Sequence, residues 1–173
     1  MITNVSVGFS TTAKWISGVI RWITRGRVSH AWISFYDPCL DTRFIMQAEW
    51  WGYELRPRAR WERENLLVAE YELPDLDMVS AVLSMTKEIG SPYDWWSAFW
   101  SGAKSWLRRW FGSRFSLRPS RTPHQLMCSE AAARILANAG FPFQEGILLE
   151  LVSPTDLEKV VRESGLSVQI RGG

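Results

Sequence analysis

The sequence predicts an α+β fold, on three observations. A short strand and a helix come first, a run of extended segments follows, and the second half is helical. The 173 residues make one domain's length, enough to bury roughly two-thirds of the unfolded surface. The 46% hydrophobic and 22% charged residues are those of a globular chain, not a disordered one.

The elements follow in order. Asn4–Phe9 alternates Val5 and Val7 with Ser6 and Gly8 and reads as a strand. Thr11 or Thr12 caps a helix from Ala13 to about Thr24, with Trp15, Ile16, Val19, Ile20 and Ile23 on one stripe. Val28–Tyr36, stopped by Asp37-Pro38, is β-branched and aromatic. Phe44–Trp51 turns at Gly52, and Leu66–Leu73 closes at Pro74; all three read as strands. Asp75 or Asp77 opens a helix that ends at Gly90. Asp94–Gly112 is amphipathic, its Trp and Phe residues recurring at three-to-four spacing, and a basic loop runs from Gly112 to Pro123. A helix from about Met127 to Ala139 stops at Gly140-Phe-Pro. Ser153-Pro-Thr-Asp-Leu opens a last helix to about Glu163, and Leu166–Ile170 is a closing strand. The expectation is one domain over residues 1–173, a small antiparallel sheet or half-barrel packed against the helix that carries Cys128. A Trp/Arg-rich helix and basic loop occupy about 94–123.

Composition excludes several classes. Two cysteines and two histidines, without paired spacing, support neither a disulfide scaffold nor a metal site. Glycine-rich phosphate loops and dinucleotide fingerprints are absent, so no cofactor is expected. The start of the chain lacks the basic and apolar regions of a signal peptide, and no stretch approaches the ~20 apolar residues of a membrane span. A cytoplasmic protein with free thiols is expected. Net charge is +2, but Lys104, Arg108, Arg109, Arg114, Arg118 and Arg121 form a basic run with no acidic residue. Few aromatics interleave with the loop, so nucleic acid is not expected as a partner. With eleven Trp in the chain, Trp95–Phe111 could instead pack as an ordinary helix or lie at a membrane surface.

The chemistry centres on Cys128. A thiol becomes a nucleophile as thiolate, and a helix N-terminus or an imidazole lowers its pKa. Cys128 precedes Ser129-Glu-Ala-Ala-Ala-Arg, a strong helix former, although Thr122–Gln125 fits a capping box that would start the helix earlier. His30 lies on a strand whose alternation sets Val28, His30, Trp32 and Ser34 on one face. His124, one turn before Cys128 if that helix starts early, is the rival base. Gln47 and Glu49 share a face of the neighbouring strand, and either could orient the imidazole. Cys39, in a turn, reads as incidental.

These pieces resemble the circularly permuted papain-like hydrolases of the NlpC type, in particular the YiiX-like branch related to lecithin retinol acyltransferase. The resemblance rests on Ile20–Ile33 with Ser29-His30, then Gln47-Ala-Glu-Trp-Trp-Gly52, Tyr93-Asp94, Cys128-Ser-Glu130 and Ser153-Pro-Thr-Asp-Leu157. It implies Cys128 as nucleophile, His30 as general base and Gln47 as third member. Glu or His is common at that third position, so Gln47 departs from the pattern, and Glu49 is the alternative. The implied function is a cysteine hydrolase that cleaves an amide in a peptide or cell-wall peptide through an acyl-enzyme. A lipid-directed esterase or acyltransferase at a membrane surface, through Trp95–Phe111, is the second reading. A non-catalytic membrane- or partner-binding protein on the same scaffold is the third.

Overall fold

A computed structural model describes residues 1–12, 17–18, 21–22, 26–92, 127–143, 149 and 152–172. The elements are β1 (Thr3–Thr11), β2 (His30–Asp37), β3 (Thr42–Glu49), β4 (Gly52–Pro57), α1 (Arg58–Trp61), β5 (Leu66–Glu72), α2 (Met78–Met85), α3 (Cys128–Asn138), α4 (Pro154–Glu163) and β6 (Val168–Gly172). The strands form one antiparallel six-stranded sheet in the order β4-β3-β2-β1-β5-β6. An α+β fold with an antiparallel sheet is what the sequence predicts. Most of the Ala13–Thr24 helix, the Tyr93-Asp94 pair, the Asp94–Gly112 helix, the basic loop, the Thr122–Gln125 box and His124 lie outside the described residues.

Alternation along the strands sorts side chains between two layers. Ala31, Ile33 and Phe35 of β2, Met46 and Ala48 of β3, and Val5, Val7 and Phe9 of β1 join the main core with α2, α3 and α4. Trp32, Ile45 and Trp61 form a smaller core on the opposite face, under α1. Val28 departs from the expected alternation because β2 begins only at His30; Val28 packs in the main core.

Two close approaches fix that smaller core. The Trp32 indole lies over Gly8, where an added Cβ would fall 2.1 Å from the ring. It also meets Trp61 edge-on at 4.8 Å and donates to Ser10 Oγ at 3.2 Å. Arg58 spans the same layer, its guanidinium 5.6 Å from the Trp32 ring centre. It forms two 2.7 Å bonds to the buried Glu70, which also accepts from Ser6. A carboxylate stays charged out of water only when so completely paired, and Glu70 is held below its ordinary pKa: burial pushes it up, but the Arg58 and Ser6 hydrogen bonds and the Arg58 charge prevail.

Local signals explain the helix ends. Asp77, one of two expected caps, accepts from the Ser80 N–H at 3.1 Å and opens α2. Ser153 accepts from Asp156 N–H at 3.1 Å, with Pro154 at the first helical position of α4. At the end of α3, Gly140 takes φ +87°. Its N–H reaches Ala137, while Phe141 N–H reaches Leu136, and Phe141 and Leu136 are both buried. This is a Schellman ending. Ser129 Oγ donates to Val152 O at 2.6 Å and Tyr71 Oη to Glu158 at 2.8 Å, tying α3 and α4 to the rest.

The strand β4 and the single turn α1 were not expected from the sequence. Gly52 takes φ +139°, where a Cβ would meet Ser91 O at 2.8 Å. Beside it, Tyr53 donates its N–H to Ser91 O (2.9 Å) and accepts from Gly90 N–H (2.8 Å). Among the described residues no helix is long and apolar enough to cross a membrane.

Candidate functional site

Cys128 is the first residue of α3. Met127 before it is extended (φ −88°, ψ 155°) and serves as the N-cap, its N–H 3.5 Å from the Glu130 carboxylate. The extended Met127 starts the helix at Cys128, and His124 lies outside the described residues. The side chain at this first position sits where unpaired N–H groups concentrate positive potential.

The ladder between β2 and β3 starts at Ile33–Met46. His30 and Gln47 lie just outside it, and here α3 meets the sheet. Cys128 lies close enough to His30 and to the backbone N–H groups of Ala31 and Ser129 for each of them to pull its thiol pKa down. His30 Nε2 lies 2.9 Å from Gln47 Oε1, whereas the nearest Glu49 oxygen is 3.9 Å away. Gln47 is thus the direct partner and Glu49 a nearby charge. With Nε2 engaged, Nδ1 is the nitrogen left for the thiol.

Gln47 is 1% exposed and bonded through both amide atoms. Its Oε1 also accepts from Trp61 Nε1–H at 2.9 Å, and its Nε2 donates to Glu54 Oε1 at 2.9 Å. Glu54 Oε2 accepts in turn from Trp51 Nε1–H at 2.7 Å. The register Gln47–Glu54 across β3 and β4 sets this contact, and α1 delivers Trp61. Neither Glu54 nor Trp61 was expected from the sequence. The only signal is Trp61's place among eleven tryptophans, which singles out nothing.

The electrostatics favour an ion pair. Burial disfavours a charged His30, but the Cys128 charge and hydrogen bond, then Glu49 and Gln47, push the imidazole up to about 9. Burial likewise raises the Cys128 thiol. The His30 charge and hydrogen bond, with the Ala31 and Ser129 N–H groups, outweigh it and hold the thiol below its ordinary value. Cys128 is 9% exposed and the His30 side chain 13%. A thiolate beside an imidazolium on the edge of solvent can attack an electrophilic carbon and return a proton to a leaving group.

Cys39 is exposed in the turn after β2, its N–H donating to Asp37 Oδ1. It lies at the opposite end of that strand from His30, roughly 23 Å along an extended chain. A surface cleft of about 550 Å³ is lined by Arg43, Arg58, Glu62, Glu70 and Arg171 among others. It contains none of Cys128, His30 and Gln47, and its Arg58 and Arg171 pair with Glu62 and Glu70.

Comparison with protein-family models gives no match, and comparison with curated proteins gives none.

Proposed function

We propose that the protein is a cysteine hydrolase of permuted papain-like architecture that cleaves an amide bond. Cys128 acts as nucleophile, His30 as general base and acid, and Gln47 as the group that orients the imidazole. The observation that carries this reading is the Cys128 thiol at the start of α3 beside a His30 that Gln47 holds at 2.9 Å, with His30 and the Ala31 and Ser129 N–H groups keeping the thiol below its ordinary pKa. A structural buried cysteine has no need of such partners.

In the proposed reaction the thiolate attacks the carbonyl carbon. The tetrahedral intermediate collapses as His30 gives its proton to the departing amine, leaving a thioester. Water then attacks the thioester while His30 takes its proton, and the carboxylic acid and the thiol are released. Peptides or cell-wall peptides are the first substrate class by the resemblance in the sequence, and lipid esters the second. Membrane contact through Trp95–Phe111 would serve the lipid reading, and that segment lies outside the described residues. A reducing cytoplasm would keep both cysteines as thiols and suits this chemistry.

The test is labelling with iodoacetamide across pH, with peptide mapping of both cysteines. Cys128 should label well below the ordinary thiol pKa of about 8.5, and His30→Ala should abolish that advantage while Cys39 labelling is unchanged. Equal labelling of Cys39 and Cys128 at every pH would overturn the reading.

A further inference from the structure

Turning a glutamine amide by 180° about its last bond exchanges its oxygen and nitrogen. Around Gln47 the neighbours forbid that exchange. Trp61 Nε1–H can only donate, and it meets the oxygen. The Glu54 carboxylate, when ionised, can only accept, and it meets the nitrogen. Trp51 holds the second Glu54 oxygen, so the carboxylate is itself fixed in place. The Gln47 oxygen that faces His30 at 2.9 Å must therefore accept, and His30 Nε2 must carry the hydrogen. A neutral imidazole with its proton on Nε2 keeps the lone pair on Nδ1, the nitrogen left for Cys128.

We propose that Glu54 and Trp61 are positioning residues that set the tautomer of His30 through Gln47, keeping the unprotonated nitrogen toward Cys128. On this view the amide needs no charge of its own. Its direction is imposed by one neighbour that only donates and another that only accepts. The catalytic meaning rests on the proposed role of Cys128, but the tautomer can be read without turnover.

The experiment uses ¹⁵N-histidine NMR on the full chain carrying Cys128→Ala, which removes the thiolate that favours the charged ring, and His124→Gln, which leaves one histidine signal. The ring should be protonated at Nε2 once neutral. Glu54→Gln, whose amide oxygen still accepts, should keep that tautomer. Trp61→Phe with Glu54→Lys removes the donor on one side and supplies one on the other, so the amide turns and Nδ1 becomes the protonated nitrogen. In the Cys128 background the same pair should slow alkylation at neutral pH on the order of a hundredfold, the scale of a lost general base. If the pair does not fold, Glu54→Lys alone sets the two neighbours against each other and should give mixed tautomers. Protonation at Nδ1 in the parent, or at Nε2 alone in every lysine variant, overturns the proposal. If the tautomer follows these changes while Cys128 labels no faster than Cys39, the hydrolase reading fails and the positioning role stands. The opposite pair of results overturns the positioning role and keeps the hydrolase.

Discussion

Replacing Gln47 by Leu removes three hydrogen bonds of 2.9 Å at nearly constant volume. Their former partners fare differently. Trp61 is 0% exposed, so its indole N–H is left without an acceptor, and the His30 N–H, on a side chain 13% exposed, loses its partner too. Glu54 is half-buried and keeps Trp51, so it loses little. Two buried donors without acceptors cost about 1–3 kcal/mol each, and the leucine returns roughly 1–2 kcal/mol as apolar surface. At the middle of both ranges the net loss is about 2.5 kcal/mol, a large share of the roughly 5–15 kcal/mol that holds a domain together. Urea unfolding followed by tryptophan fluorescence measures it. Adding Trp61→Phe removes one orphaned donor, so the double variant should cost about 0.5–3 kcal/mol less than the sum of the two single changes, the range seen for residues in contact. A Gln47→Leu loss below about 0.5 kcal/mol, or strict additivity with Trp61→Phe, would refute the shared acceptor.

The reactive ion pair exists above the lowered Cys128 pKa and below that of His30 near 9, so the pH–rate profile of amide hydrolysis should be a bell whose alkaline limb falls near pH 9. His30→Ala leaves only the Ala31 and Ser129 N–H groups to oppose burial and should move Cys128 alkylation to higher pH. Gly8→Ala drives a methyl to within 2.1 Å of Trp32, which Trp61 backs; overpacking of this kind costs about 1–3 kcal/mol, read as a lower Tm. Arg58→Met strands the buried Glu70 and should cost about 3–5 kcal/mol. Much of that should return when Glu70→Leu is added, in the same unfolding assay.

The strands around the site were legible because β1, β2 and β3 alternate cleanly or run β-branched and aromatic. The helix α3 was legible because an alanine-rich run ends at Gly140. Cys128 and His30 stood out through the order of a Ser-His strand and a later Cys-Ser-Glu helix start, which resembles the permuted papain-like hydrolases, and not through either element by itself. The choice between Gln47 and Glu49 did not, since alternation sets both on one face. The structure separates them by depth, with Gln47 enclosed and Glu49 at the strand's end. The strand β4 was missed although Tyr53 and Leu55 alternate with Glu54 and Arg56, because the run is only six residues long and is bounded by Gly52 and Pro57. Its extended form comes from pairing with β3. Four residues, Arg58–Trp61, are too few for any helical period to appear. Losing β4 and α1 from the reading lost Glu54 and Trp61 with them, because only a register and a turn bring those residues to Gln47.

The contacts of Tyr53 with residues 90 and 91 also decide how an extended chain can approach. The outward-facing positions of β4 are Tyr53, Leu55 and Pro57, since both main-chain groups of Tyr53 point away from β3 to Gly90 and Ser91. Pro57 has no N–H to offer, and Tyr53 is already taken. Leu55 alone remains, too little for a seventh strand to zip onto the sheet. The border of the sheet nearest Gln47 is in effect sealed against self-association, and equally against a substrate bound by strand addition. On the proposed function, a peptide substrate would be recognised by its side chains or its ends rather than by main-chain pairing along β4.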